Sequence, residues 1–168
     1  MDEILVKSAI KGDRECFGKL ISEVRDEAYR IAFCYLRNEE QSMDAVCDAV
    51  EKSFINLKKL KEPRYFKTWF IRITINQCKL QLRNKNRVEY LADEIFNQPE
   101  ICCKEDHLDL DKALAQLQTI DRVLIYMKYY MGYTLEEISE AIDMPTGTVK
   151  TRIYGNLKVL RNRLEVIE

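Results

Sequence analysis

Glycine and proline are scarce, at five and three in 168 residues, and histidine and tryptophan occur once each. So few turn-forming residues, with almost no alternation of β-branched and polar positions, exclude a sheet-rich fold and leave an all-α one. The lone His107 has no nucleophile placed to pair with it, and no glycine-rich loop is present to cradle a phosphate. The chain is therefore expected not to be an enzyme and to take no small-molecule substrate and no cofactor. No apolar run approaches the roughly 20 residues of a membrane span. The opening MDEILVKSAIKGD also lacks the charged and apolar regions of a signal peptide, so a cytoplasmic protein is expected.

Six cysteines (Cys16, Cys34, Cys47, Cys78, Cys102, Cys103) are scattered, mostly on prospective apolar helix faces. In the cytoplasm they are expected to be free thiols. Cys102, Cys103 and His107 form the one grouping with metal-ligand character. Adjacent cysteines rarely ligate one ion and no fourth ligand is evident, so no metal is expected.

What is present is a chain able to bury a core, at 46% hydrophobic and 33% charged residues. The net charge of −1 hides a strong segregation. From Lys61 to Tyr90 run Lys61, Arg64, Lys67, Arg72, Lys79, Arg83, Lys85 and Arg87, against Glu62 and Glu89 alone. Ala92 to Asp111 is acidic, with Lys104 its one fixed positive charge, and no acid occurs between Pro145 and Leu164. Two basic patches flanking an acidic connector point to a polyanion gripped at two places.

The second patch belongs to a stretch that reads as helix, tight turn and helix, from Thr134 to Leu164. Thr134 suits an N-cap, with Glu136 and Glu137 complementing the helix dipole, and Asp143-Met144-Pro145 marks the turn. Beyond it, Val149, Ile153, Leu157, Leu160 and Leu164 recur at helical spacing as one apolar stripe. Thr148, Thr151, Gly155 and Lys158 oppose that stripe, flanked by Lys150, Arg152 and Tyr154. Short hydroxyls with cations around them suit a DNA major groove, where hydroxyls meet base edges and cations meet phosphates. A solvated face on an ordinary helical hairpin has the same spacing, and the acid-free run favours the first reading.

Along the rest of the chain, periodicity predicts helices over 4–10 and from Arg14 to about Asn38, with Phe17, Leu20, Ile21, Val24, Ala28, Ile31, Ala32, Tyr35 and Leu36 inward. A third covers Met43–Leu60, with Ala45, Val46, Ala49, Val50, Phe54 and Leu57 inward. Its early outer face shows Asp44, Asp48 and Glu51, acids that either complement the helix dipole or meet a basic partner. After the Lys58–Arg64 break, a fourth helix runs from Tyr65 to about Lys85. Phe66, Trp69, Phe70, Ile73, Ile75 and Leu80 give it bulk, and Lys67, Arg72, Asn76, Lys79 and Arg83 line a polar stripe. Aromatics among cations suit single-stranded nucleic acid, although Trp69 shares a face with Ile73, which favours packing in the core. Two further helices are expected over 110–118 and 120–131. The domain reading is 1–91, an acidic linker over 92–109, and 110–168.

This layout resembles a bacterial RNA polymerase sigma factor of the small extracytoplasmic-function type, in the sigma-70 family. LAQLQTIDRVLIYMKYYMGYTLEEISEAIDMPTGTVKTRIYGNLKVLRNRL, Leu114 to Leu164, resembles the family's region four, most recognisably in Gly147–Arg152. YFKTWFIRITINQCKLQLR, Tyr65 to Arg83, is similar to the end of region two, and Asp44–Asp48 to its acidic helix motif. The resemblance implies two helical domains, a region two bundle and a region four helix-turn-helix. It implies binding to core RNA polymerase through Asp44 and Asp48. The −10 element, with its melted strand, would fall to Lys61, Glu62, Arg64, Tyr65, Lys67, Arg72 and Asn76. The −35 element, as double-stranded promoter DNA, would fall to Thr148, Lys150, Thr151, Arg152, Tyr154 and Lys158. It also implies an anti-sigma factor, often membrane-anchored, and induction by envelope or extracellular stress. Cys47 stands where the family usually has Gln, Leu80 where Asp is common, and Gly155 where a larger, often basic residue is usual, which implies altered promoter preference. A dimeric stand-alone regulator would not need the second basic helix, and a protein-binding adaptor would need neither patch.

Overall fold

Local capping chemistry decides where the helices begin. In the computed structural model, which describes residues 2–89, 114 and 116–165, the Asp2 carboxylate accepts from the Ile4 N–H at 2.8 Å and opens α1 (Glu3–Ile10). Asp13 accepts from Cys16 N–H at 3.0 Å and opens α2 (Arg14–Leu36). Asn38 accepts from Gln41 N–H at 2.8 Å and opens α3 (Glu39–Asn56). Each such cap satisfies a donor that has no intrahelical partner and contributes about 1 kcal/mol. Between α1 and α2, Gly12 at φ 109° makes the turn that other residues adopt only under strain. Arg37, in the left-handed conformation at φ 54°, ends α2.

Two single 3₁₀ turns, Leu57–Lys59 and Pro63–Tyr65, bridge to α4 (Phe66–Glu89). Helices α2, α3 and α4 pack against one another, and α1 lies on α2. Leu20, Val24, Ala28 and Ile31 of α2, Ala45, Val46 and Ala49 of α3, and Phe70, Ile71, Ile75 and Cys78 of α4 are all buried in the unit these helices form. Alanines at these crossings let the helix axes approach closely while the large residues of α4 fill the space between. This is one compact unit, 1–94; a second covers 95–168.

The second unit contains α5 (Thr119–Ile125), a wide π-type turn (Tyr126–Tyr130), α6 (Leu135–Ile142) and α7 (Thr146–Glu165). Leu124, Met127, Ile138, Ala141, Val149 and Ile153 are buried, and Leu117, Ile125 and Leu160 cluster with Leu114 beside them. Among the described residues there is no strand, in keeping with the all-α expectation. None of their helices is long and apolar enough to cross a membrane. The acidic linker, Cys102, Cys103, His107 and most of the helix expected over 110–118 lie outside the described residues.

Several boundaries differ from the sequence reading, among them residues 116–118, expected to end a helix, which form a turn ahead of α5. The third helix starts at Glu39, not Met43, because the Asn38 cap nucleates a polar first turn that apolar periodicity cannot register. Its α-helical part ends at Asn56, and Leu57–Lys59 tightens into 3₁₀ geometry. The segment read as one helix over 120–131 is α5 followed by the wide turn, in which the Met131 N–H reaches back to Tyr126 O at 3.2 Å. Phe54, expected inward, is 46% exposed, with its ring edge set against Phe17 at 5.2 Å between centroids.

Candidate nucleic-acid interface

The hairpin that begins at Thr134 is built by three short-range devices. Thr134 Oγ1 accepts from the Glu137 N–H at 3.1 Å while Glu137 Oε2 accepts from the Thr134 N–H at 2.8 Å, a reciprocal capping box. Asp143 turns the chain in the left-handed region at φ 62°. The Met144 N–H then donates to Ser139 O at 3.1 Å, and Ser139 Oγ donates to Met144 O at 2.6 Å. Pro145 O accepts from the N–H groups of Thr148 and Val149, at 2.9 and 3.0 Å, and starts α7. The turn is thereby clamped from both sides.

Val149, Ile153 and Leu160 turn inward, and Leu157 is half-buried. Thr148, Lys150, Thr151, Tyr154, Gly155 and Lys158 are exposed, Tyr154 at 55%. The Thr151 hydroxyl donates to Gly147 O at 2.9 Å, which fixes its rotor and leaves its lone pairs outward. Arg152 departs from this group. It is half-buried at the edge of α7, with Nη1 3.3 Å from Oδ1 of the buried Asp121 on α5. The two residues lie far apart in the chain, and no local pattern links them.

In the first unit Lys61, Glu62, Arg64 and Tyr65 are exposed around the Pro63 turn. The Arg64 guanidinium lies over the Tyr65 ring at 4.7 Å, with its Nε 3.8 Å from Glu62, so the loop presents a partly preorganised aromatic–cation surface. On α4, Trp69, Arg72, Ile73 and Lys79 are half-buried, and Asn76, Leu80 and Arg83 are exposed. Trp69 is thus neither a core residue nor a free stacking surface: one side leans on Phe66, 6.0 Å away between centroids, and part remains open.

Lys67 falls off the polar stripe on which the sequence reading had placed it. At about 100° per residue it lies roughly 140° around the helix from Arg72. It points to α2, where Nζ meets Glu27 Oε2 at 2.9 Å. Glu27, like Asp121, has no local sequence signal that marks its distant partner.

On α3, Asp44, Asp48 and Glu51 are exposed. The first turn of α3 already holds Glu39 and Glu40, so Asp44 and Asp48 sit too far along to complement the dipole. Lys52, one turn beyond Asp48, donates from Nζ to Gln77 Oε1 of α4 at 2.6 Å. No ion pair among the described residues engages the three acids. Of the two readings left open for them, dipole complement is thereby excluded for Asp44 and Asp48.

Cys47 is exposed on the same helix, Cys16 and Cys34 are half-buried, and Cys78 is buried, its thiol pushed up to about 12 by that burial. Among the described residues no cluster of histidine, cysteine and carboxylate side chains could hold a metal ion.

Comparison with known proteins accounts for both units. The family model of sigma-70 region 2 matches residues 20–88. That of sigma-70 region 4 matches residues 107–154. RNA polymerase sigma factor SigV of Bacillus subtilis is 31% identical over 149 residues, covering 86% of this chain and 88% of that protein. The ECF RNA polymerase sigma-E factor of Escherichia coli is 27% identical over 182 residues, covering 98% and 94%. Among solved structures, the sigma factor RpoE of Bartonella quintana, determined with the anti-sigma factor NepR, shares the fold at a TM-score of 0.76 and 22% identity, over 90% of this chain and 98% of that one. CnrH, determined with the cytosolic domain of CnrY, does so at 0.74 and 21%, over 99% of both chains. With one region matched in each unit and a relative of that identity along most of its length, the chain belongs to the extracytoplasmic-function sigma factors of the sigma-70 family, the subunits with which RNA polymerase starts transcription at chosen promoters.

Proposed function

We propose that this sigma factor divides its work as follows. Residues 1–91 dock on core polymerase through Asp44 and Asp48 of α3. They read the −10 element, including its melted strand, with the Lys61–Tyr65 loop and the outer face of α4, through Arg72 and Asn76. Residues 92–109 are an acidic tether, and 110–168 read the −35 duplex with α7, through Thr148, Lys150, Thr151, Tyr154 and Lys158. Arg152 and Lys67 belong to the same surfaces but work under the restraint of Asp121 and Glu27. The protein acts in the cytoplasm, without chemistry of its own. An anti-sigma factor holds it in check until an envelope or extracellular stress releases it, as the anti-sigma partner NepR of the Bartonella quintana sigma factor suggests by analogy.

The observation that carries the docking assignment is the state of α3. Three acids stand exposed with no ion pair among the described residues, the nearest lysine along the helix is engaged elsewhere, and two of the acids sit beyond reach of the dipole. Asp44 and Asp48, one turn apart, repel one another by about 0.2–0.5 kcal/mol. A structure that keeps such a pair in the open does so at a small cost, which a basic partner would reverse. On α7 the corresponding support is a surface with cations and hydroxyls outward and no acid between Pro145 and Leu164.

Reconstituted transcription tests the division of labour. The purified chain is expected to bind core polymerase, to start transcripts from a two-element promoter, and to lose core affinity about tenfold or more when Asp44→Ala and Asp48→Ala are combined. The circular dichroism melt is expected to stay the same or rise, since alanine is the better helix former. Unchanged core affinity in that variant would exclude α3 as the docking face. Binding to an inverted-repeat operator as a dimer, without polymerase, would overturn the whole reading.

A further inference from the structure

Asp121 is the one charged residue among the described residues that is buried, at 8% exposure. Its neighbour is Arg152 of α7, with Nη1 3.3 Å from Oδ1 and about a third of its side chain, 35%, still in the open. The carboxylate oxygen accepts no well-aligned hydrogen bond there, so the link is one of charge and position more than of ideal geometry. A pair of this kind is a poor way to stabilise a fold. Desolvating a carboxylate is costly, and apolar replacements of buried ion pairs are often as stable or more so. The hairpin does not depend on it either, since its cap, turn and apolar stripe are each satisfied by other groups.

What the pair does control is where a cation stands on α7. Arg152 is four residues beyond Thr148, hence about 40° around the helix from it, at the rim of the exposed face. A guanidinium carries five N–H donors in a rigid fork. With one nitrogen drawn to Asp121, the rest of the fork remains available from a fixed place, and its ordering no longer has to occur on binding. We propose that Asp121 is a positioning residue for promoter recognition, holding Arg152 so that its remaining donors meet a phosphate at the edge of the groove α7 enters. This rests on the reading of α7 as the element facing the upstream duplex. Asp121 touches no DNA itself. A lysine at 152 would not substitute, because one ammonium cannot span the carboxylate and a phosphate as a fork does.

The test is a double-mutant cycle on the full chain bound to core polymerase, with a fluorescent duplex enriched from random-sequence DNA by that same complex. Asp121→Asn, which keeps the shape and removes the charge, is expected to lower affinity roughly tenfold, and Arg152→Ala by a similar factor. In the Arg152→Ala background Asp121→Asn is expected to cost nothing further, and Arg152→Lys to behave like Arg152→Ala. Arg152→Gln approaches the same link from the exposed side and leaves an amide donor beside the carboxylate. It is expected to lower affinity while the chain stays folded by circular dichroism, at some loss of melting temperature because the buried carboxylate loses its counter-charge. That keeps the idea testable if Asp121→Asn folds poorly. A merely structural carboxylate would carry its loss undiminished into the Arg152→Ala background, and that result overturns the proposal. So does unchanged or tighter binding by Asp121→Asn, because the carboxylate would then only subtract charge from the surface. Lys150→Ala with Thr151→Ala serves as the control. Loss there without loss in Asp121→Asn refutes the positioning role alone, whereas no loss in either refutes α7 as the DNA-facing element.

Discussion

Gly155 lies midway along α7, exposed, outside the positive-φ region that would call for glycine, and with nothing within 4 Å of where a Cβ would stand. Nothing in the described protein therefore requires a glycine there, while a glycine inside a helix costs about 0.8–1 kcal/mol relative to alanine. Gly155→Ala should accordingly stabilise the second unit by nearly that amount, which for a unit of this size is a rise of roughly 4–8 °C in melting temperature. The transition can be assigned without separating the units. The single tryptophan, Trp69, belongs to the first unit, so its fluorescence follows that unit alone, whereas far-ultraviolet circular dichroism follows both. The expected result is an upward shift in the dichroism melt that the Trp69 signal does not share. The added methyl would also stand on the surface that carries Thr151 and Lys158, where α7 is proposed to approach DNA. Crowding a close contact costs about 1–3 kcal/mol, so affinity for the upstream duplex should fall about tenfold. A variant that melts higher yet binds that duplex as well as before would refute the idea that the glycine is kept for close approach. A variant that gains no stability would refute the view that the glycine costs the helix anything.

Two other outcomes are expected. Thr134→Ala removes one half of the reciprocal cap and should destabilise the second unit by about 1 kcal/mol, seen as faster amide exchange in α6 while the protection of α2 is unchanged. In a chain carrying Cys102→Ser and Cys103→Ser, iodoacetamide at pH 8 should label exposed Cys47 first and Cys78 last. With its thiol at about 12, Cys78 holds almost no thiolate below pH 10 and should react only after unfolding; labelling of Cys78 at the rate of Cys47 in the native chain would contradict its burial.

The features legible in the sequence are those whose cause lies within a few residues. The Thr134 cap, the Asp143-Met144-Pro145 turn and the inward stripe at Val149, Ile153 and Leu160 rest on spacings of three and four, and all three are found. The start of α3 was misplaced because Glu39, Glu40, Gln41 and Ser42 have no apolar periodicity, although Asn38 is a good cap. That error bore on function, since it put Asp44 and Asp48 near the first turn and left their role ambiguous. The wide turn at Tyr126–Tyr130 cannot be told from an α-helix by periodicity, as one residue of extra width leaves the apolar pattern intact on either side. Partners distant in the chain were invisible. Glu27 with Lys67 and Asp121 with Arg152 are each a carboxylate on one helix and a cation on another, and only packing brings them together. In the sequence both cations look like free surface charges, because composition counts charge and says nothing of where it points.

The arrangement of Lys52 has a thermal consequence. With its ammonium drawn over to Gln77 and Asp44 one turn from Asp48, the outer edge of α3 holds negative charge that its own chain leaves unneutralised among the described residues. Whatever cationic surface covers that edge removes a repulsion present in the isolated protein, so occupancy and heat resistance rise together by mass action. The sigma factor should thus be at its most fragile while it waits unbound.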